Sequence, residues 1–332
     1  MSKLDQGQIN PIKKNIAKIL KNYSISNFNF SVNPRGAHNT TIIITEKGGN
    51  KYAMRVYCQN RRTKNEIRLE IDYINFLFNR GLPVPEVVPH KKNNYIAETE
   101  IDGKLWYSIL TKFFRGNHPK FYSKKLLKDL AFIQAKMHLL APAFNSKYSN
   151  LLKLCDTGEK SKNYLYTDLL SVDKINLKNL KKIELKNFLA RALKLSINFK
   201  KLPIAIVHKD IHAFNIIENK GKLAAVLDFD DLFNGPLFIG LPYMLWDIYV
   251  KNNDWSYASY YINEYEKTRK ILKEERENIK NFLLLRNYIM GTVEYLVGGE
   301  NSKGVLMMNL EKYFKIEKEI MKLKIEKLYG KK

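Results

Sequence analysis

Two polar clusters in the second half of the chain combine residue types that suit a chemical step. His208 and Asp210 follow one apolar run, and Asn215 comes five residues after Asp210. Asp228 follows a second apolar run, thirteen residues after Asn215. Carboxylate and amide oxygens bind Mg²⁺, and a separate carboxylate can accept the proton of an attacking hydroxyl. The set predicts phosphoryl transfer, with Asp210 serving the acceptor hydroxyl and with Asn215 and Asp228 holding magnesium.

The segment between the two clusters must bring them together. Residues 216–217 and 223–227 are apolar, and the Glu-Asn-Lys-Gly sequence at 218–221 is typical of a turn. This pattern predicts a β-hairpin. Asn215 and Asp228 would then lie at the open end of the hairpin, near the catalytic aspartate.

A metal site is the main alternative interpretation of the first cluster. His208, Asp210 and His212 alternate along the chain, and alternate residues of a strand share a face. That interpretation leaves Asn215 and Asp228 without a role, and no cysteine or further histidine lies nearby in the sequence to complete the ligands. The interpretation as hydroxyl phosphorylation uses both residues, and it assigns His208 to bracing the catalytic loop.

Length and composition indicate a folded protein with two lobes. The 332 residues are 45% hydrophobic and 12% aromatic, which excludes a disordered chain. Cys58 and Cys155 form no disulfide framework and fit a reducing compartment. The N-terminus lacks the apolar segment of a signal peptide, and the longest apolar stretch, 237–250, is too short to span a bilayer. We therefore expect a cytoplasmic protein that does not enter a membrane.

The net charge of +24 raises the question of nucleic-acid binding. The lysines are spread along the chain and mixed with glutamates, instead of forming one basic stripe. We therefore expect no nucleic-acid partner, although the charge excess can attract a nucleotide or another anionic ligand.

The first third of the chain alternates between helix and strand patterns. The predicted helices span 12–23 and 66–78, and the predicted strands span 28–32, 41–45, 51–57, 84–88, 95–99 and 105–114. Together they predict an antiparallel sheet of about five strands with one helix packed on it. A polar loop at 33–40 joins the first two strands and contains Gly36. Such a loop can lay backbone N–H groups over phosphates, although an ordinary hairpin gives the same pattern.

The third predicted strand carries a candidate phosphate contact. Side chains alternate between the faces of a strand, so Ala53, Arg55 and Tyr57 share one face while the intervening residues face the core. Glu70 borders the buried face of the following helix and can reach Arg55, with Glu66 one turn earlier as the fallback partner. The alternatives are a surface arginine on an edge strand and solvated glutamates.

Helical patterns dominate after residue 116. The polar, glycine-containing stretch 111–117 is the best boundary, and we predict lobes at 1–114 and 115–332. Apolar periodicity predicts helices in this second part at 126–140, 281–297 and 310–328. His138 lies on the first of these helices and is interpreted as a structural core histidine. The segment 145–201 carries no pattern that indicates chemistry.

These motifs resemble those of the aminoglycoside phosphotransferase-like kinases. The sequence His208-x-Asp210-x-x-x-x-Asn215, followed by Leu227-Asp228-Phe229, is similar to their catalytic and metal-binding loops. That superfamily includes choline kinases, type II homoserine kinases and bacterial stress-response kinases, and it is related to protein kinases. The resemblance spans most of the chain. It implies an α+β, two-lobed protein-kinase-like fold, with a small antiparallel-sheet N-terminal lobe and a mostly helical C-terminal lobe.

The resemblance also assigns residues of the N-terminal lobe to the nucleotide. The stretch 35–41 is similar to the phosphate loop of the homoserine-kinase-like members, and Arg55 matches the basic residue that contacts the phosphates. Glu70 matches the helix glutamate that pairs with that basic residue, and 111–116 looks like the hinge whose main chain meets the base. The cofactor-binding residues implied are Gly36, His38, Asn39, Thr40, Ala53, Arg55, Glu70 and Phe113.

Two positions depart from the family pattern. Arg55 stands where many relatives have lysine, and a guanidinium can still grip a phosphate. Relatives often have an aspartate shortly after the Gly-Pro that follows the magnesium aspartate. This chain has Gly240 in that region, and the nearest acid is Asp247. The sequence therefore leaves open how the catalytic loop is supported.

The resemblance implies transfer of the γ-phosphate of ATP, with Mg²⁺, to a hydroxyl of a small metabolite. The N-terminal loop and the chain length look most like the homoserine kinase branch, so the expected acceptor is homoserine or a related amino alcohol. The alternatives are a catalytically inactive, spore-coat-like scaffold and an aminoglycoside-type antibiotic phosphotransferase. Acidic residues are not concentrated after Asp247, as a polycationic antibiotic would require.

Overall fold

The computed structural model describes most of the chain. The described residues are 6–33, 39–57, 62–90, 94–152, 187–188, 190–192, 194–195, 201–300 and 310–329. Gly36, His38, Cys58 and Cys155 lie outside them, as does most of the segment 145–201.

The chain divides into two compact units by its internal contacts. The N-terminal unit contains Met1–Arg115 together with the short segments Asn145–Leu151 and Ala225–Asp230, and the remainder forms the C-terminal unit. Asp228 therefore belongs to the N-terminal unit, whereas Asp210 and Asn215 belong to the C-terminal unit. The sequence-based boundary between residues 114 and 115 stays a prediction, and it does not include the return of these two segments.

The N-terminal unit is built on an antiparallel sheet of six strands. The strands are β1 (Phe28–Asn33), β2 (Thr40–Glu46), β3 (Lys51–Val56), β4 (Val87–Val88), β5 (Ala97–Ile101) and β6 (Lys104–Lys112). Their order is β1-β2-β3-β6-β4, and β5 pairs with β6. All six follow predicted strands, but β4 is shorter than predicted because Pro83 and Pro85 have no N–H to donate.

Helix α1 (Gln6–Leu20) covers the core side of this sheet. Its Ile12, Ile16 and Ile19 are buried in one apolar cluster with Met54 and Val56 of β3. The predicted faces of both elements are therefore confirmed. The opposite face of β3 carries Ala53 and Arg55, which were assigned to the nucleotide, and Tyr57 follows the end of the strand.

Helix α2 (Lys64–Phe78) begins with a capping box. Thr63 Oγ1 accepts a hydrogen bond from the N–H of Glu66, and the carboxylate of Glu66 accepts one from the N–H of Thr63. The carboxylate of Glu66 is therefore used at the start of the helix. The fallback prediction, in which Glu66 pairs with Arg55, is wrong. Glu70, one turn later, is 3% exposed and lies on the buried face.

Two short pairs of strands flank the polar residues that were predicted to carry out the chemistry. β7 (Ile204–His208) pairs antiparallel with β10 (Leu232–Pro236), and β8 (Ile216–Asn219) forms a hairpin with β9 (Lys222–Val226). The hairpin was predicted, and Lys220 and Gly221 at its tip both have positive φ. β10 was not predicted, because its Asn-Gly-Pro sequence is typical of a loop; pairing with β7 overrides that local preference.

Helices form the rest of the described C-terminal unit. They are α3 (Lys124–Leu140), α4 (Gly240–Asn252), α5 (Trp255–Glu266), α6 (Lys273–Glu300), α7 (Glu311–Lys322) and α8 (Ile325–Leu328). The three helices predicted here correspond to α3, α6, and α7 with α8. Within the described residues no helix is both long enough and apolar enough to cross a bilayer.

Candidate active site

Arg55 is the centre of a charged group in the N-terminal unit. Its Nη1 donates to Glu70 Oε1 at 3.2 Å, and its Nη2 donates to Asp228 Oδ1 at 2.6 Å. Tyr57 completes the group, because its hydroxyl donates to Glu70 Oε2 at 3.0 Å. Strand β3 carries Arg55, Tyr57 follows directly after the strand, and α2 supplies Glu70. The predicted Arg55–Glu70 ion pair is present, and the bond to Asp228 was not anticipated.

The charges in this group do not balance. Burial, together with the nearby Asp230 and Asp228, raises the pKa of Glu70 to about 7 in spite of Arg55. Burial opposes the charge of Arg55, yet Asp228 and Glu70 hold its pKa well above the ordinary value. One guanidinium therefore serves several carboxylates, and the pKa values of both Glu70 and Asp230 are raised.

Asp228 and Asp230 form a close carboxyl pair. Burial and the adjacent Asp228 raise the pKa of Asp230. Asn39 Nδ2 donates to Asp230 Oδ2 at 2.8 Å, so the amide of Asn39, which was predicted to serve the phosphates, contacts this carboxyl. Asp228 has a φ of 66°, a left-handed conformation that costs roughly 1 kcal/mol or more in a non-glycine residue. Strain of this kind is typical of functional positions.

The remaining predicted nucleotide residues lie on or beside the sheet. Thr40 is buried and opposite Val56, and the carbonyl oxygen of Ala53 accepts a hydrogen bond from Thr111 Oγ1 at 3.2 Å. The N–H of Phe113 donates to the carbonyl oxygen of Lys51 at 3.1 Å. This N–H is therefore engaged, and a contact of the base with Phe113 would use its carbonyl group. Gly36 and His38 are not among the described residues.

Asp210 is the centre of a second group, in the C-terminal unit. Its Oδ1 accepts from Arg286 Nη2 at 2.9 Å, and its Oδ2 accepts from His212 Nε2 at 3.2 Å. The Nδ1 of His212 accepts from the N–H of Phe214 at 3.2 Å, which places the imidazole proton on Nε2. Desolvation acts to raise the pKa of Asp210, but Arg286 and the two histidines, His212 and His208, hold it well below the usual range. Asp210 is therefore an ionised carboxylate.

Asn215 and His208 bind the loop that carries Asp210. Asn215 Nδ2 donates to the carbonyl oxygen of Asp210 at 2.9 Å, and the N–H of Asp210 donates to His208 Nδ1 at 3.4 Å. These contacts match the bracing expected of His208, whose role in activity stays a prediction. Because the amide of Asn215 donates through Nδ2, its Oδ1 is not used in that bond. A metal would be bound by this Oδ1.

The support of the loop, which the sequence left open, comes from Asp247 on α4. Its Oδ2 accepts from the N–H of Ala213 at 3.0 Å and from the Tyr122 hydroxyl at 2.5 Å. At Gly240 a β-carbon would lie 3.2 Å from the carbonyl oxygen of His208. The chain therefore runs too close to the catalytic loop there for a side chain to fit easily, and the carboxylate two turns later provides the anchor.

The donor set suits a hard cation that also takes ligands from phosphates. Asn215 and Asp228 offer amide and carboxylate oxygens, which is the donor chemistry that Mg²⁺ prefers. Among the described residues no group of three or more histidines, cysteines or carboxylates could hold a metal by itself. Mg²⁺ typically binds with one or two carboxylates plus nucleotide phosphates. The oxygen of Asp228 in the N-terminal unit and that of Asn215 in the C-terminal unit are each of a type that fits a cation arriving with a nucleotide.

Comparison with known proteins decides the family. A sequence model of the phosphotransferase enzyme family (APH) matches residues 29–277, three quarters of the chain. The chain belongs to this family. The prediction of a phosphotransferase related to the aminoglycoside phosphotransferases is thereby confirmed. A comparison with curated proteins found no match.

Solved structures with the same fold include three phosphotransferases. Amicoumacin kinase, in complex with AMP-PNP, Ca²⁺ and Ami, is 16% identical with a TM-score of 0.73, over 98% of this chain and 100% of that one. A microcompartment-associated aminopropanol kinase is 17% identical with a TM-score of 0.59, over 93% and 94%. Spectinomycin phosphotransferase, in complex with ADP and spectinomycin, is 15% identical with a TM-score of 0.62, over 96% and 97%. These likenesses confirm the α+β kinase-like fold.

Sequence reasoning missed several residues of the two groups. It assigned no role to Tyr57, Asp230 or Arg286, considered His212 only as a ligand of the alternative metal site, and mentioned Asp247 only as the nearest acid. Two of these carry a signal in the sequence. Asp247 is an isolated acid in the longest apolar stretch, and Arg286 interrupts the apolar helix predicted at 281–297. Charges at such positions are buried only when they are paired.

Proposed function

We propose that this phosphotransferase moves the γ-phosphate of ATP, together with Mg²⁺, to a hydroxyl of a small metabolite. The observation that supports the proposal most directly is Asp210. It is 29% exposed, ionised, and held by hydrogen bonds from the loop and from α6. A fixed carboxylate of this kind can orient a hydroxyl and accept its proton as the bond to phosphorus forms.

The N-terminal group supplies the nucleotide side of the reaction. Arg55 would contact the phosphates with its guanidinium, held in place by Glu70, which is itself fixed by Tyr57. Asp228 and Asn215 would hold the magnesium ion, which offsets the negative charge of the phosphates when it is bound. Phosphoryl transfer depends on positioning and electrostatics, so these fixed charges account for the catalysis that the protein must provide.

We propose homoserine or a related amino alcohol as the acceptor. The support is the similarity of the stretch 35–41 to the homoserine-kinase-like phosphate loop, and the shared fold with an aminopropanol kinase. An antibiotic is the second candidate acceptor, since the fold likeness to amicoumacin kinase extends over the whole of both chains. The two candidates differ in size and in polar groups, so a panel of acceptors separates them.

ADP release measured against such a panel tests the proposal. The panel contains homoserine, ethanolamine, aminopropanol, choline, spectinomycin and kanamycin, each with ATP and Mg²⁺. We expect turnover with an amino alcohol and a fall of about 10²- to 10⁴-fold in Asp210→Asn. Equal turnover in the variant would contradict the role of Asp210. Turnover with an antibiotic alone would replace the metabolite as acceptor but keep the mechanism.

Nucleotide binding is tested separately by thermal shift. Millimolar ATP with Mg²⁺ is expected to raise the melting temperature of the wild type, because a ligand of the folded state alone stabilises it. Asp228→Ala is expected to remove most of this shift. A wild type that shows no shift and no turnover would favour the inactive scaffold considered from the sequence.

A further inference from the structure

Arg286 meets the catalytic aspartate with only part of its guanidinium. Its Nη2 donates to Asp210 Oδ1 at 2.9 Å, and its side chain is 9% exposed. Within the described residues its Nε has no hydrogen-bond partner. A buried arginine is costly unless it is well paired, and the favourable pair is a bidentate one. This side chain is therefore poorly explained as a device for stability alone.

The guanidinium is held in place by groups other than Asp210. Its Cζ lies 4.9 Å from the ring centre of Tyr243 and 5.9 Å from that of Trp246, both on α4. Trp246 Nε1 donates to Asn287 Oδ1 at 3.2 Å, and Asn287 Nδ2 donates to the carbonyl oxygen of Tyr313 at 2.9 Å. Because Asn287 is the next residue on α6, these bonds fix the helix turn that carries the arginine. The position of the cation is thus set by α4 and α6.

The two oxygens of Asp210 have different partners. Oδ1 accepts from Arg286, a buried cation on α6, and Oδ2 accepts from His212 Nε2 at 3.2 Å and from Asn215 Nδ2 at 3.4 Å. His212 is anchored by the N–H of Phe214, within the same loop. One oxygen is therefore bonded to the helical core of the unit, and the other is bonded to residues of its own loop.

We propose that Arg286 is a positioning residue for phosphoryl transfer. It fixes the side chain of Asp210 through Oδ1, so that Oδ2 is presented to the acceptor hydroxyl in place of the His212 contact. The inference rests on the proposed function, since it explains how the assigned carboxylate is aimed. A displacement of about 1 Å in a reacting group can cost about 10²-fold in rate. The gain in rate from holding Asp210 in place can therefore outweigh the cost of burying the charge of Arg286.

Steady-state kinetics of Arg286→Met test the positioning role. We expect kcat to fall about 10²-fold while the KM for ATP changes less than about twofold, because the nucleotide group in the N-terminal unit is untouched. Arg286→Ala is expected to regain at least about tenfold of its activity when guanidinium at about 10 mM replaces the lost group. Loss of ATP affinity in parallel with kcat, or no rescue by guanidinium, would overturn the proposal.

A matched variant on the same helix separates positioning from stability. Arg276 also lies on α6, pairs with Glu266 and stacks on Tyr329 with its Cζ 3.9 Å from the ring centre. Arg276→Met also removes an ion pair and a cation–π contact, at another position of the same helix. We expect it to lower the melting temperature but to keep kcat within about twofold of the wild type. An equal loss of kcat in both variants would show that Arg286 acts only through the stability of α6.

Crystal structures of the wild type and Arg286→Met give a readout that does not depend on activity. We expect the Asp210 side chain to leave its rotamer in the variant while the backbone of the loop stays in place through Asp247. An unchanged Asp210 rotamer would overturn the positioning role even if kcat falls. If the wild type phosphorylates no acceptor, the proposed function fails, and the crystal structures still decide whether Arg286 fixes Asp210.

Discussion

Glu70 and Asp210 are both carboxylates that pair with an arginine, yet their pKa values move in opposite directions. Glu70 is 3% exposed and shares Arg55 with Asp228, while Asp230 lies close by. Asp210 is 29% exposed and accepts bonds from Arg286, His212 and Asn215, and among the described residues no carboxylate is bonded to it. An arginine partner therefore does not by itself keep a carboxylate ionised. The burial of the carboxylate, and then the number of donors and acids around it, determine the direction of the pKa shift.

Asp210 stays ionised across the physiological range, which suits the role proposed for it as the acceptor of a hydroxyl proton. Glu70 changes its charge near pH 7, so the hold on Arg55 weakens below that pH. The N-terminal group is thus the part of the proposed site that responds to pH.

The largest effect is expected from removing the shared cation of the N-terminal group. Arg55→Met leaves Glu70, Asp228 and Asp230 without their guanidinium, and a broken, mostly buried pair costs about 2 to 3 kcal/mol. Urea unfolding at about pH 8 measures this loss. Arg80→Met is the control, because Arg80 is an exposed arginine that stacks on Phe76, and it should cost well under 1 kcal/mol. A loss in Arg55→Met no larger than in the control would contradict the shared-cation account.

The second effect is a pH dependence that belongs to Glu70. The folded protein holds the Glu70 proton up to about pH 7, whereas the unfolded chain releases it near 4.5. The free energy of unfolding contributed by Glu70 therefore falls as pH rises from about 5 to about 7, by about 2 to 3 kcal/mol. Glu70→Gln should lack this decline. Identical pH profiles of urea midpoints for variant and wild type would show that Glu70 does not titrate there.

The third effect has the opposite sign and lies in the core of the C-terminal unit. His138 is buried, its Nδ1 bonds to the Tyr265 hydroxyl at 2.6 Å, and burial with Arg269 nearby lowers its pKa to about 3. The unfolded chain takes up this proton near pH 6.5. The free energy of unfolding should therefore fall by about 2 kcal/mol between about pH 6.5 and 5. His138→Gln should remove this acid sensitivity, and His90→Gln, which changes a partly exposed histidine, should keep it.

The smallest effect is expected at the anchor of the catalytic loop. Asp247→Asn keeps the size of the side chain but weakens the bonds from Ala213 and Tyr122, so we expect a loss of about 1 kcal/mol and about tenfold in kcat. Asp129→Asn is matched to it, because Asp129 also accepts a backbone N–H, from Leu223 at 3.2 Å, but outside the catalytic loop. That variant should lose similar stability and keep kcat. Equal kcat values in the two variants would argue against Asp247 as the anchor.

Much of the fold could be predicted because its signals are local. The isoleucines of α1 recur at helical spacing, and β3 alternates a core face with the face that carries Arg55. Both patterns were sufficient to place these elements. β10 was not predicted because its Asn-Gly-Pro sequence is typical of a loop, and only its pairing with β7 makes it a strand. The fallback prediction for Glu66 was wrong because the capping box at the start of α2 uses its carboxylate.

The chemical groups themselves were set by the sequence alone. The types and spacing of Asp210, Asn215 and Asp228 indicate phosphoryl transfer, because few other reactions use two carboxylates and an amide in this order. The tertiary structure decided the electrostatic state of those groups. Arg286 reaches Asp210 across 76 residues of sequence, and Asp228 reaches Arg55 across 173, so their charges are set by packing between distant elements. No local pattern records such contacts, which keep Asp210 charged. The burial of Glu70, which also depends on packing between distant elements, is the main reason that it takes up a proton near pH 7.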